Sequence, residues 1–147
     1  MGRLRDGELI AGAGGVALIA AMFLHWYDAG PFEATAWQAF GVLDVVLLVL
    51  ALVPIAGVIA QATRTSPAWP VAFSVVGTVT GALAALLILY RIVNQPGPND
   101  VVGVQAGAWL GLLAAVLISA GAFRSLRVEP VPGVPLPPVE DLPTPAP

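Results

Sequence analysis

The stretch VVLLVLALVPIAGVIAQAT, residues 45–63, decides the fold class of this chain. It contains 19 residues without one charged side chain, and it lies between Asp44 and Arg64. A helix needs about 20 predominantly apolar residues to cross the hydrocarbon core of a bilayer. The stretch therefore predicts a membrane-spanning helix.

The same pattern recurs along the chain, where residues 9–27, 65–90 and 101–123 also carry no charge. Inside lipid a helix satisfies its own backbone hydrogen bonds, so each apolar interval of this length predicts one crossing. We therefore expect an all-α, polytopic membrane domain over residues 1–127 with four transmembrane helices. Their expected positions are about 9–26, 40–61, 70–92 and 101–123.

The composition of the whole chain agrees with a membrane location. Of its 147 residues, 58% are hydrophobic and 10% charged, and the mean hydropathy is +0.88. Soluble domains carry about 25% charged residues. The chain has no cysteine, one histidine and no lysine, which excludes disulfides, thiolate chemistry and Schiff-base formation.

The positions of the arginines predict the orientation, because cytoplasmic loops are enriched in basic residues. Arg3 and Arg5 precede the first helix, Arg64 separates the second from the third, and Arg124 and Arg127 follow the fourth. These five residues fall on one side. We expect that side to be cytoplasmic, with both termini inside and the protein in the plasma membrane.

Residues 128–147 differ in composition from the rest. Eight of the 14 prolines fall within residues 130–147, and apolar residues there follow no helical spacing. This composition is typical of an extended, disordered segment. We expect a Pro-rich cytoplasmic tail that acts as a spacer or as a docking segment.

Small residues at four-residue intervals predict close packing of the helices. Such residues let two backbones approach closely, which is a main source of helix association in lipid. A tight fit within the bundle and an oligomer interface would both use them. The candidate packing positions are Gly103, Gly107, Gly111, Ala115 and Ser119 in the fourth helix and Gly77 and Gly81 in the third.

Pro54 lies midway along the second helix and predicts a kink, because proline removes one backbone hydrogen bond and clashes with the preceding turn. A structural bend and a gating hinge remain open as interpretations.

Asp44 and Arg91 fit the simple charge scheme least well. Asp44 falls inside the second helix, and Arg91 is the one arginine on the outer side. Because the second helix enters where the third leaves, the two side chains should lie at similar heights. We expect an interhelical polar pair, and a proton or ion site is the alternative for Asp44.

Two further expectations concern the outer side. Trp26, Tyr27, Trp37 and Tyr90 lie near the predicted outer boundary and are typical of an interfacial aromatic belt. Asn99 or Asp100 is placed to cap the start of the fourth helix.

No sequence pattern points to a reaction. Phosphate-binding loops, dinucleotide-binding glycine motifs, nucleophilic serine elbows and zinc-protease motifs are absent from the sequence. We therefore expect no catalytic residues, no cofactor and no metal. The net charge of −3, with no basic patch, gives no indication of nucleic-acid binding.

Four stretches of the sequence carry a resemblance: LRDGE (4–8), WQAF (37–40), NQPGPND (94–100) and GAWLG (107–111). They resemble uncharacterised four-helix integral membrane proteins of high-GC actinobacteria. The resemblance covers nearly the whole membrane domain and implies a plasma-membrane location, with no assigned activity to carry over.

These observations favour a non-enzymatic accessory, scaffold or assembly subunit of a cell-envelope complex. Its expected partners are the lipid bilayer and either another membrane protein or further copies of the chain. One alternative is a small oligomeric transporter or channel that uses Asp44 and the Pro54 kink. Another is a lipid- or quinone-binding membrane component.

Overall fold

The computed structural model describes residues 6–63 and 70–128, and this part of the chain is mostly helical. A small sheet lies at one end of the helices. The helices are α1 (Asp6–Met22), α2 (Ala36–Ala39), α3 (Val42–Thr63), α4 (Pro70–Val93) and α5 (Ala106–Val128), and the strands are β1 (His25–Ala29), β2 (Phe32–Thr35) and β3 (Gly103–Val104).

Three helices are long and apolar enough to cross a membrane, which confirms this part of the sequence prediction. The qualifying segments are Val42–Thr63, Ala72–Val93 and Ala106–Arg127. In each of these segments, at most 44% of the 18 most apolar consecutive residues are buried. Most of the apolar residues in these segments are therefore not covered by the rest of the protein. An outward apolar surface of that extent is expected where the surrounding solvent is lipid.

Helix α1 runs antiparallel along α5. A Cβ atom built at Gly7 would lie 2.6 Å from the Ser125 hydroxyl oxygen, near the end of α5, and one at Gly14 would lie 2.9 Å from the Ile118 nitrogen. Helix α1 also packs against α3, and α4 packs against both α3 and α5. The four long helices thus share one core.

The sheet corrects two of the expected helix boundaries. Helix α1 ends at Met22 rather than near residue 26, and α5 begins at Ala106 rather than near residue 101. Strand β1 lies between β2 and β3 and is antiparallel to both. Residues 25–29 and 101–105 are nearly free of charge, but Tyr27 and Asp28 of the first range pair with Val104 and Gly103 of the second as strands instead of extending the helices.

The turn between β1 and β2 explains why the chain reverses where it does. Its two loop residues are Gly30 and Pro31, and Gly30 has a φ of 65°. Type II′ turns place glycine with positive φ at the first loop position, and proline suits the negative φ of the second. We call the end of the helices that carries this sheet the sheet end, and the other the terminal end.

The interior between the helices is filled by large side chains. Leu18, Trp26, Leu47, Ile88 and Ile118 have no exposed surface. They come from α1, β1, α3, α4 and α5 respectively, so every long helix contributes to one continuous core.

Several sequence expectations concern residues outside the described part of the chain. These are the Pro-rich tail beyond Val128 and the arginines at positions 3, 5 and 64, on which the expected orientation partly depends.

Candidate functional site

Asp44 is buried near the start of α3, with 8% of its surface exposed. It is the third residue of the helix, and its Oδ1 atom accepts a hydrogen bond of 2.6 Å from the backbone N–H of Val45. The first turn of a helix has free N–H groups and the positive end of the helix dipole, and both stabilise a carboxylate. Asp44 thus has a local source of stabilisation.

Arg91 has other partners than Asp44. Its guanidinium carbon lies 4.7 Å from the centre of the Phe40 ring, a cation–π geometry. Within residues 6–63 and 70–128, Arg91 and Asp44 form no ion pair. Phe40 precedes α3, so Arg91 packs on a residue that lies nearer the sheet end than Asp44 does. The structure therefore places the two predicted residues at the same end without an ion pair between them.

Tyr27 connects Arg91 to the sheet. Its hydroxyl donates a hydrogen bond of 3.0 Å to the backbone oxygen of Arg91. Burial raises the pKa of the Tyr27 phenol above its usual 10.0, and the nearby Arg91 guanidinium opposes that effect by favouring the phenolate. The hydroxyl thus keeps its proton at neutral pH and stays a donor that ties β1 to the end of α4.

Two of the four aromatic residues expected in an interfacial belt lie inside the protein instead. Trp26 is fully buried and Tyr27 is 2% exposed, and both pack edge-on against Phe40. The Trp26 indole N–H donates a hydrogen bond of 2.7 Å to the backbone oxygen of Ala21. Tyr90 is 59% exposed and keeps the expected outward position. The buried pair closes the interior at the sheet end, because strand β1 turns them inward.

The small residues of α5 pack within the chain. Built Cβ atoms at Gly107 and Gly111 would lie 2.5 Å from the His25 oxygen and 2.8 Å from the Trp26 ring. Ala115 is fully buried, and the Ser119 hydroxyl donates a hydrogen bond of 3.1 Å to the backbone oxygen of Thr78. Among the described residues, these contacts use this face of α5 for α1, α4 and β1.

The α4 positions meet the same face. A Cβ at Gly81 would lie 2.8 Å from the Ser119 Cα, and one at Gly77 would lie 3.0 Å from the Ala122 Cβ. Gly103 differs from the expectation, because it lies in β3 rather than in a helix. There it lets the backbone pass close to the Asp28 carboxylate.

Asn99 has a different capping role from the expected one. Its Oδ1 atom accepts a hydrogen bond of 3.3 Å from the Gln95 N–H, and its Nδ2 atom donates 3.0 Å to the Val93 oxygen. It therefore satisfies backbone groups at the end of α4. It does not cap α5, which begins at Ala106, seven residues further on.

Pro54 is buried within α3, which is helical on both sides of it. It faces α1, because a Cβ built at Gly15 would lie 3.2 Å from the Pro54 ring. The kink and the hinge both remain predictions.

A polar cavity at the terminal end was not predicted from the sequence. It is lined by the polar residues Glu8, Gln61 and Ser74 and by Pro54. Its free volume is about 20 Å³, which is room for about one water molecule. Glu8 is 6% exposed. With its amide nitrogen facing Glu8, Gln61 donates to both carboxylate oxygens, at 2.9 Å to Oε2.

The sequence contains a signal for this site. Glu8 precedes Ala11, Gly12 and Gly15 by three, four and seven residues, which places it on the face of α1 that packs against other helices. Read only as the boundary of an apolar interval, Glu8 looks like an exposed terminal residue.

His25, the single histidine, lies at the surface of the sheet. Its Nδ1 atom is 3.2 Å from Glu33 Oε2, and both side chains are 56% exposed. In the part of the chain that the structure describes, no group of three or more histidine or acidic side chains is placed to hold a metal ion.

No family model matches the chain, and no curated protein or solved structure matches it either.

Proposed function

We propose that this chain is a non-enzymatic, multi-pass plasma-membrane protein that acts as an accessory or scaffold subunit of a cell-envelope complex. The observation that carries the proposal is the combination of a filled interior with apolar outer faces. Trp26, Leu47 and Ile118 fill the space between the helices. A helix that is apolar on its outer face needs lipid or another protein around it.

The proposal includes four membrane crossings with both termini in the cytoplasm. Helix α1 has 17 residues and is about 25 Å long at 1.5 Å per residue, which is within the range of short transmembrane helices. Gly7 of α1 lies beside Ser125 at the terminal end. The strand β1 that follows α1 contacts Gly107 at the sheet end through His25 and Trp26. Helix α1 and strand β1 together thus extend along α5 from Ser125 to Gly107.

A lipid-binding role is the second candidate, and one groove favours it. Ala17, Ala20, Leu113 and Leu117 line an apolar groove of about 310 Å³ between α1 and α5. Its small residues on α1 make room for a hydrocarbon chain such as a lipid acyl or quinone tail. The transporter alternative needs an assembly of several copies, because the core within one chain is filled.

Site-specific photo-crosslinking in native membranes tests the scaffold role. A photoreactive residue replaces Ile59 in α3, Leu86 in α4 or Leu113 in α5, which are 59%, 64% and 55% exposed. We expect one helix face to give a discrete adduct with a second protein, while the other faces give only lipid. The buried Leu47 is the matched control and should give no intermolecular adduct.

Adducts only between copies of this chain, or none at any exposed position, would contradict the accessory role. Adducts of defined lipid mass at Leu113 alone would support the lipid-binding candidate instead.

A further inference from the structure

A cleft at the sheet end lies between the two loop regions that connect the long helices there. One wall comes from the β1–β2 hairpin and α2, and the other comes from the segment between α4 and β3, through Pro96 and Val102. The cleft has a volume of about 260 Å³, which is smaller than the pockets of about 300–1,000 Å³ that enclose drug-sized ligands. It is therefore suited to one large side chain. We call it the sheet-end cleft.

Two carboxylates lie opposite each other in the hairpin wall of this cleft. Asp28 in β1 and Glu33 in β2 are direct partners in the antiparallel pair, and both line the cleft. Like charges directly opposite each other destabilise a sheet. Glu33 has His25 beside it, whereas Asp28 forms no ion pair or side-chain hydrogen bond with any residue that the structure describes. A cation in the cleft would offset the repulsion and give Asp28 a partner.

The charges around the cleft are unbalanced in the same direction. Within the described chain, the sheet end carries four acidic residues and one arginine, and the terminal end carries two residues of each sign. At the sheet end these are Asp28, Glu33, Asp44, Asp100 and Arg91, and at the terminal end they are Asp6, Glu8, Arg124 and Arg127. Arg91 packs on Phe40 and does not line the cleft. The surface around the cleft thus attracts a positively charged partner.

We propose that the sheet-end cleft binds one arginine side chain of the membrane protein that this chain assists, an inference that rests on the proposed scaffold role. Arginine suits the lining, because its planar guanidinium forms bidentate hydrogen bonds with a carboxylate and stacks on aromatic rings. Asp28 supplies the carboxylate, and Phe32, which is 76% exposed and lines the cleft, supplies the ring. In the proposed topology the cleft faces away from the cytoplasm, so the arginine belongs to an extracytoplasmic part of the partner.

Site-specific photo-crosslinking at Pro96 tests this inference in native membranes. Pro96 is exposed and lies on the other wall of the cleft from Asp28 and Glu33. We expect an adduct with a second protein, and mass spectrometry of the adduct should identify an arginine close to the crosslinked position. The yield should fall as NaCl is raised in the isolated membranes, because salt screens exposed charges.

Acidic variants make the test specific. Asp28→Asn keeps the shape of the side chain and removes its charge, and we expect the adduct yield at Pro96 to fall about tenfold. Asp100→Asn is the matched control, because Asp100 is an exposed acid at the same end that does not line the cleft. It should keep the wild-type yield. Replacing the identified arginine of the partner by glutamine should lower the yield as much as Asp28→Asn does, with no further loss when the two changes are combined.

The helix-face positions Ile59, Leu86 and Leu113 separate a failure of this inference from a failure of the scaffold role. An adduct with a second protein at one of them, with none at Pro96, would overturn the cleft assignment and leave the scaffold role intact. An adduct at Pro96 that Asp28→Asn leaves unchanged would overturn the assignment as well. No protein adduct at any of the four positions would contradict both.

Discussion

At the scale of single residues, the scarcity of charge points to the side chains that matter but not to their partners. Asp44 and Arg91 stand out in the sequence because each is a charge next to an apolar run. The structure gives them separate surroundings, a helix N-terminus for Asp44 and an aromatic ring for Arg91. Sequence distance and helix direction predict similar heights, but they do not resolve one helical turn.

Double-mutant cycles compare the observed partner of Arg91, Phe40, with the partner expected from the sequence, Asp44. We expect Arg91→Gln and Phe40→Leu to be coupled by about 0.5–2 kcal/mol, the range of a cation–π contact. The effects of Arg91→Gln and Asp44→Asn should add to within about 0.5 kcal/mol, because the described structure has no ion pair between the two side chains. Unfolding in detergent, followed by tryptophan fluorescence, measures each free energy. Strong coupling of Arg91 to Asp44 would show instead that the two charges interact directly.

At the scale of elements, the sequence predicts where the long helices lie, because apolar runs of this length have few other solutions. The boundaries at the sheet end could not be predicted in the same way. The segments around Trp26 and Val104 carry few charges, like the apolar parts of the helices beside them. Their strand pairing depends on contacts between residues almost 80 positions apart, which local composition does not record.

Glycine contacts between α4 and α5 give a prediction at this scale. Gly81→Ala places a methyl group 2.8 Å from the Ser119 Cα, so a backbone must move. We expect a loss of about 1–3 kcal/mol from overpacking, which exceeds the gain of about 1 kcal/mol in helix propensity. Thermal unfolding in detergent measures the difference.

Gly57→Ala in α3 is the matched control. Its methyl group would meet the Phe73 ring at an ordinary 3.4 Å, so propensity should dominate and the stability should stay the same or rise. Equal losses for both variants would indicate that helix flexibility, rather than close packing against α5, is what Gly81 provides.

At the scale of the whole molecule, the proposed set of four crossings depends on α1. Its 17 residues are at the lower limit for a spanning helix. Its packing against α5 supports the proposed crossing. Gly7 lies beside Ser125, and Gly14 lies beside Ile118, which is nearer the middle of α5. Helix α1 therefore runs alongside α5 from the terminal end inward. An α1 that did not cross would have to carry this antiparallel pairing outside the bilayer, away from the lipid that the outer face of α5 requires.

Cysteine labelling tests the crossing directly, since the chain has no cysteine of its own. Single cysteines replace the exposed residues Asp6, Glu33, Asn99 and Arg124, and intact cells are treated with a membrane-impermeant maleimide. We expect labelling at positions 33 and 99 only, with positions 6 and 124 reacting after permeabilisation. Labelling of position 6 together with position 33 in intact cells would mean that α1 does not cross. Because α5 separates position 99 from position 124, that pair reports the orientation independently of α1.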